Sequence, residues 1–302
     1  MRLRNLVLPA VSGSIAATLA GCSSSGQLPF LAGAPPPIAA NSGAALPAPK
    51  PFAYVGDQAS SFIAVFDSEG KAIRRITRGL RNPAGILVDR DHDLWVANQG
   101  DSNVLEFARG ATKPMLTLPD GASNAPSDVA MCRDGTIFVA NIVGGIAKYV
   151  GRKHHAAGSL AYGSAAFTNV TCDDSANVFA TAVVGTSGTV VVFPHGQQYG
   201  AHSLPIFSSK TLGGIKADRA GNIVVSDAAG HVTEYTEQGY PTGVTIATPD
   251  RWVDIALDDS GKLLLAGDQT KNAGVTVTFP GGKTRGVYKA KFSRVLGVAF
   301  DS

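Results

Sequence analysis

A chain of 302 residues that is 44% hydrophobic and 7% aromatic, with 35 glycines, has material for one large, turn-rich domain and some extra chain. The formal charge is only +3; without Arg2 and Arg4 the 26 basic residues become 24 against 23 acids, near +1. No basic run of the kind that follows a phosphate backbone is present, which excludes nucleic acid as an expected partner, and no apolar run reaches the roughly 18 residues that span a bilayer.

In chain order, MRLRNL opens with two arginines, VLPAVSGSIAATLA is apolar and small, and Gly21 and Cys22 follow. A charged start, a short apolar stretch and small residues before a cut describe a secretory signal over residues 1–21. The ending Leu19-Ala20-Gly21-Cys22 resembles the bacterial lipobox, which implies that Cys22 is lipidated and becomes the first residue of the mature chain. Residues 23–51 hold seven prolines in 29 positions and one charge, Lys50. Such a stretch cannot bury a core, so residues 22–51 are expected to form a lipidated, extended tether with a span on the order of 30 Å. Two or more acyl chains make membrane attachment stable. The expected address is therefore the bacterial cell membrane or outer membrane, with the folded part facing the periplasm or the outside.

From residue 52 onward one phrase recurs: PAGILVDRDHDLWVAN (83–98), PSDVAMCRDGTIFVAN (126–141), TNVTCDDSANVFATA (168–182), GGIKADRAGNIVVSD (213–227) and VDIALDDSGKLLLAG (253–267). Each is a strand, a tight turn and a second strand. The turn residues His92, Gly135, Ala176, Gly221 and Gly261 lie 43, 41, 45 and 40 residues apart, the period of a propeller blade. A third strand follows each phrase and ends in an aromatic: Phe66, Phe107, Tyr149, Phe193, Tyr235 and Phe279. Six such ends accompany only five opening phrases. VLGVAFDS (295–302) is a first strand with nothing after it, and FAYVGD (52–57) is a second strand with nothing before it. Joined, they complete a sixth blade and leave no exposed sheet edge. The fourth strands (AIRRIT, KPMLTLP, SLPIF, GVTIAT, RGVYKAK) are half solvated and pattern more loosely. The expected fold is all-β: a six-bladed β-propeller over residues 52–302, closed by its C-terminal strand, and a monomer.

The repeat G-[IV]-x-x-D-x-x-G-x-[IL]-[FWV]-V-x-[DN], then x-[IV]-x-x-[FY], resembles the NHL family of six-bladed propellers. These are relatives of gluconolactonase-like and streptogramin-lyase-like proteins. The resemblance covers residues 52–302 and implies the fold. It does not imply one activity, because enzymes and non-enzymes share the repeat.

The alternating acids Asp89, Asp91 and Asp93 suggest a calcium loop, but an EF-type loop needs Gly sixth and Glu twelfth, where Leu94 and Gly100 stand. Asp recurs at the place of Asp89 in Asp173, Asp218, Asp258 and Asp301, so these are expected to cap turns. Streptogramin-lyase-like catalysis needs converging His and Glu. His92, His154, His155 and His195 fall on turns of the other face, His231 stands alone and His202 is near an outer strand, so no catalytic set is identified. Cys132 and Cys172 lie on the first strands of neighbouring blades. An exported compartment permits a disulfide. Alignment, however, pairs Cys172 with Met131 and turns the two thiols different ways, so they are expected to be small buried residues.

One register position holds only Gly, Asp or Asn: Gly85, Asp128, Asn169, Gly214, Asp254 and Gly297. The glycines suit strands crowding at an axis. Asp128, Asn169 and Asp254 could hold a hard cation such as calcium, or bond loop backbone and channel water. In gluconolactonase-like enzymes the metal-holding side chain comes one residue earlier. Here those positions are Ala84, Ser127, Thr168, Gly213, Val253 and Leu296, none of them acidic. Further candidates at the channel mouth are Arg81, Arg251, Trp252 and Arg294 on the loops leading into blades. Asp57, Asn98, Asn141, Asp227 and Asp268 stand on the loops after second strands. The expected function is a membrane-anchored binding or scaffold module for an envelope or extracellular protein, a glycan or a small polar ligand. The alternative is a metal-dependent hydrolase or lyase similar to the gluconolactonase group.

Overall fold

The computed structural model describes residues 52–121, 124–208 and 211–301. The expected signal, Cys22 and the expected tether lie outside the described residues.

Apolar alternation and turn residues place six four-stranded antiparallel sheets around one axis. Blade 1 joins Val295–Asp301 to Phe52–Asp57, Phe62–Phe66 and Ala72–Ile76. Blade 2 is Pro83–Val88, Leu94–Asn98, Asn103–Phe107 and Leu116–Pro119, and blade 3 is Pro126–Met131, Thr136–Asn141, Ile146–Val150 and Gly158–Leu160. Blade 4 is Ala166–Cys172, Val178–Val184, Ser187–Phe193 and His202–Ser208. Blade 5 is Leu212–Ala217, Ile223–Asp227, His231–Tyr235 and Pro241–Ala247, and blade 6 is Trp252–Leu257, Leu263–Asp268, Ala273–Thr278 and Thr284–Tyr288. The C-terminal strand pairs with the first described one, Phe300 opposite Ala53 and Val298 opposite Val55, and so closes the ring. The chain is a six-bladed β-propeller.

The period is set by turn chemistry. His92, Gly135, Ala176, Gly221 and Gly261 all have positive φ, between 62° and 84°. This left-handed conformation favours Gly, and His92 and Ala176 adopt it as well. The preceding Asp caps the turn as expected. Asp89 Oδ1 accepts from the backbone N–H of Asp91 and Asp93, Asp173 Oδ1 from Ser175 and Asn177, and Asp218 Oδ1 from Ala220 and Asn222. Asp258 Oδ1 accepts from Lys262 and Leu263. Asp301 differs from these. Its carboxylate instead bonds His92 Nδ1 at 2.5 Å and Arg109 Nε at 2.9 Å, fastening the last strand to blade 2.

Between blades lies the core. Phe66, Phe107, Tyr149 and Phe193 are fully buried; Tyr235 is half-buried. Burying one such ring stabilises the fold by about 1.5–3 kcal/mol.

The expectation for the cysteines is overturned: Cys132 and Cys172 form a disulfide. The two thiols do sit on opposite faces of their own sheets. Neighbouring blades, however, meet front to back. Ala130 and Cys132 from one sheet therefore pack with Val170 and Cys172 from the next, although their registers differ by one.

Candidate channel-mouth site

In every blade the first strand slips register near its start. The slip falls between Pro83 and Ile86, Pro126 and Asp128, Phe167 and Asn169, Leu212 and Ile215, and Trp252 and Asp254. In blade 1 it falls between Val55 and Asp57, opposite Val298 and Val295. A bulge suspends the strict alternation of sides, so consecutive residues can both be used. In five blades the earlier residue of the pair, Ser127, Thr168, Gly213, Val253 or Leu296, lines a cavity at the channel mouth; in blade 2 Gly85 does so instead of Ala84. The later residue joins its blade to the next.

That later position is the Gly/Asp/Asn ring. A Cβ on Gly297 would lie 2.2 Å from Ala84 O, and one on Gly214 would lie 2.4 Å from the Ile255 nitrogen. Backbones touch there because nothing stands between them. Elsewhere the side chain spans the gap. Asp128 Oδ2 accepts from Val170 N–H at 3.0 Å, and Asp254 Oδ2 accepts from Val298 N–H at 3.0 Å. The Asn169 amide, oriented by its surroundings, donates from Nδ2 to Gly213 O at 3.0 Å and Thr168 O at 3.3 Å. Its oxygen then lies 3.4 Å from Asp254 Oδ1. Burial drives the Asp254 carboxyl up to about 7, with Lys216 opposing and Asp128 adding to the rise; Asp128 shifts up for the same first reason. Asp254 Oδ1 also accepts from its neighbour, Ile255 N–H. Three of the four carboxylate oxygens are thus engaged by backbone, and Asp128 Oδ1 alone has no hydrogen-bond partner. A cation at Asp128, Asn169 and Asp254 would find that one free oxygen and the Asn169 amide.

The cavity above this ring has a volume of about 310 Å³. Asn169, Arg251, Trp252 and Arg294 line it, together with Gln58, Gln99 and Gln269. No carboxylate lines it, and neither guanidinium has a hydrogen-bond or ion-pair partner among the described residues. Gln58 Nε2 donates to Gln99 Oε1 at 3.0 Å, so the amides form part of a wall rather than isolated arms. The Trp252 ring packs with Val224, Ile246 and Ile255 between blades 5 and 6, with its buried N–H unpartnered.

The remaining candidates do not line the cavity; they shape its loops. Asp57 accepts from Ser60, Ser293 and Arg294 N–H, and Asn98 Oδ1 accepts from Arg81 N–H at 2.6 Å. Asp227 accepts from Ala229 and His231 N–H, and Asp268 from Thr270 and Lys271 N–H. Asn141 donates to Val139 O, and the Arg81 guanidinium pairs with Asp101 at 3.3 Å. The residue that faces the mouth is the next one along: Gln58, Gln99, Ile142, Ala228 and Gln269. The sequence signal was available in the Asp-Gln and Asn-Gln pairs 57–58, 98–99 and 268–269.

No family model and no curated protein matches this chain. Solved structures do. A chain of a nidogen/laminin complex superposes with a TM-score of 0.69 at 14% identity, covering 83% of this chain and 98% of that one. A streptogramin B lyase gives 0.61 at 11%, covering 82% of each. A protein of unknown function from Bacteroides caccae gives 0.63 at 12%, covering 83% and 98%. At these identities the likeness is one of fold.

Proposed function

We propose that this chain is an exported bacterial lipoprotein, held to a membrane through Cys22, whose NHL-like propeller binds a polar ligand at the channel mouth. The ligand is a small molecule, a glycan or a partner's loop that presents acceptor groups. The carrying observation is a concave cavity with four amide side chains, no carboxylate and two guanidiniums that have no partner among the described residues. The two guanidiniums offer donors for which the described residues provide no acceptor, on a wall of amides that are already hydrogen-bonded in part. That a similar propeller occurs in a nidogen/laminin complex is in keeping with a binding role for this architecture.

The test is a thermal-shift screen of the full chain against neutral and acidic sugars, oligosaccharides and amino acids. A binder is then repeated with Arg251→Glu plus Arg294→Glu. Loss of at least about tenfold in affinity with an unchanged melting point supports the reading. Undiminished binding in the double variant rejects it.

A metal-dependent hydrolase or lyase is the second reading, and Asp128 Oδ1 is the observation in its favour. It requires calcium to raise the melting point in the parent chain and not in Asp128→Asn with Asp254→Asn.

A further inference from the structure

On the face opposite the cavity, three carboxylates of blade 2 converge. One oxygen each from Asp89, Asp93 and Glu106 lies within 4.8 Å of the others. Asp89 and Asp93 belong to the turn between the first and second strands. Glu106 comes from the third strand, where it pairs across from Trp95. The Glu106 side chain is 1% exposed, and its Oε2 has no hydrogen-bond partner. An acid buried this deeply is costly unless a cation stands beside it. Burial accordingly pushes its carboxyl above the ordinary range, against the pull of Arg152.

The cation beside it is Arg152, reaching over from blade 3. One guanidinium nitrogen lies 2.5 Å from Glu106 Oε1 and 3.3 Å from Asp93 Oδ2. Its side chain is half exposed at 51%. Three carboxylates against this one guanidinium leave two negative charges uncompensated in the cluster. The other charged neighbour, Arg109, offers its backbone N–H to Asp93 Oδ1, while its guanidinium is bonded to Asp301. Asp89 Oδ1 is taken by turn N–H groups, and Oδ2 accepts from Trp95 Nε1 at 2.8 Å with a lone pair to spare. One oxygen of each carboxylate is thus near enough to the other two to share a single ion.

We propose that Asp89, Asp93 and Glu106 form a binding site for a hard divalent cation of the calcium class, in which Arg152 is the competing internal cation. Calcium takes six to eight oxygens in a flexible shell. The three carboxylates supply the buried half, and water supplies the rest on the side that Arg152 vacates. The site is not an EF-type loop: its third ligand comes from a neighbouring strand, which is why loop spacing does not describe it.

Trp95 makes the test specific. The chain has two tryptophans, and only Trp95 touches this cluster; Trp252 is in blade 6. Titration of the full chain with Tb³⁺ under tryptophan excitation is expected to give sensitised emission that Ca²⁺ displaces. Trp95→Phe should abolish the emission while calorimetry still shows Ca²⁺ binding. Glu106→Gln and Asp93→Asn should each weaken binding by about tenfold or more, with circular dichroism confirming the fold. Arg152→Ala should tighten it by about threefold or more, because the competitor is gone. Absence of emission and of Ca²⁺ heat in both the parent chain and Arg152→Ala overturns the proposal. So does emission that survives Glu106→Gln but disappears in Asp128→Asn with Asp254→Asn, which would place the ion on the axis.

Discussion

At one repeat position neighbouring blades are joined through glycine, through a carboxylate or, between blades 4 and 5, through the Asn169 amide, and the first two contrast most. Between blades 1 and 2, and between 5 and 6, a glycine lets the backbones meet. Between blades 3 and 4, and between 6 and 1, a carboxylate spans the gap to an N–H of the next strand. The glycine joints depend on an absence and tolerate no added atom. The carboxylate joints depend on a group that must be desolvated, and they respond to its protonation. The joint between blades 3 and 4 adds a covalent bond to the polar one.

The largest expected effect comes from that covalent bond. The disulfide closes a loop of 40 residues, for which chain entropy gives about 4 kcal/mol at most and measured cases typically 2–4. Cys132→Ala with Cys172→Ala should lower the denaturation midpoint accordingly, and reductant should reproduce the loss in the parent chain. Equal midpoints with and without reductant would show that the bond does not form in solution. Next comes a glycine joint. Gly297→Ala places a methyl 2.2 Å from Ala84 O, a backbone atom that cannot turn aside. A loss of about 3 kcal/mol is expected, read by urea unfolding. Gly135→Ala is the control, since nothing lies within 4 Å there; its cost should be only that of positive φ, about 1 kcal/mol.

How much of this was legible in the sequence follows from what repeats. His92, Gly135, Ala176, Gly221 and Gly261 mark one backbone conformation, so the blade count and the ring closure could be read from their spacing. The axial ring was legible for the same reason, as a position limited to Gly, Asp and Asn. What lies between blades was not. Alternation within one sheet turns Cys132 and Cys172 apart, whereas contact across blades joins opposite faces. At the mouth, alternation points to Asp57, Asn98 and Asp268, but these strand-ending residues turn back to cap loops and their successors face the cavity. Glu106 belonged to the apolar run NVLEF and gave no sign of its proximity to Asp89 and Asp93.

The carboxylate joint that closes the ring predicts a pH dependence. Asp254 titrates near 7 in the folded protein against an ordinary 3.8, chiefly because it is buried. Between about pH 4 and pH 7 the folded chain therefore holds a proton that the unfolded chain has released. More protons bound in the folded state means that stability falls as pH rises through this window; the contribution is fully present below pH 4 and lost above pH 7. Asp128, raised in the same direction, adds to the slope, and Asp120, pushed up to about 6 by burial, adds a share that is independent of the axis. Asp254→Asn keeps an oxygen for the Val298 N–H and removes the titration. Urea midpoints at pH 5 and pH 8 should differ less in Asp254→Asn than in the parent chain, with the residual slope belonging to the other acids. A variant that kept the full slope would mean that Asp254 is ionised throughout. The Asn169 amide would then donate to it and leave Gly213 O without that bond.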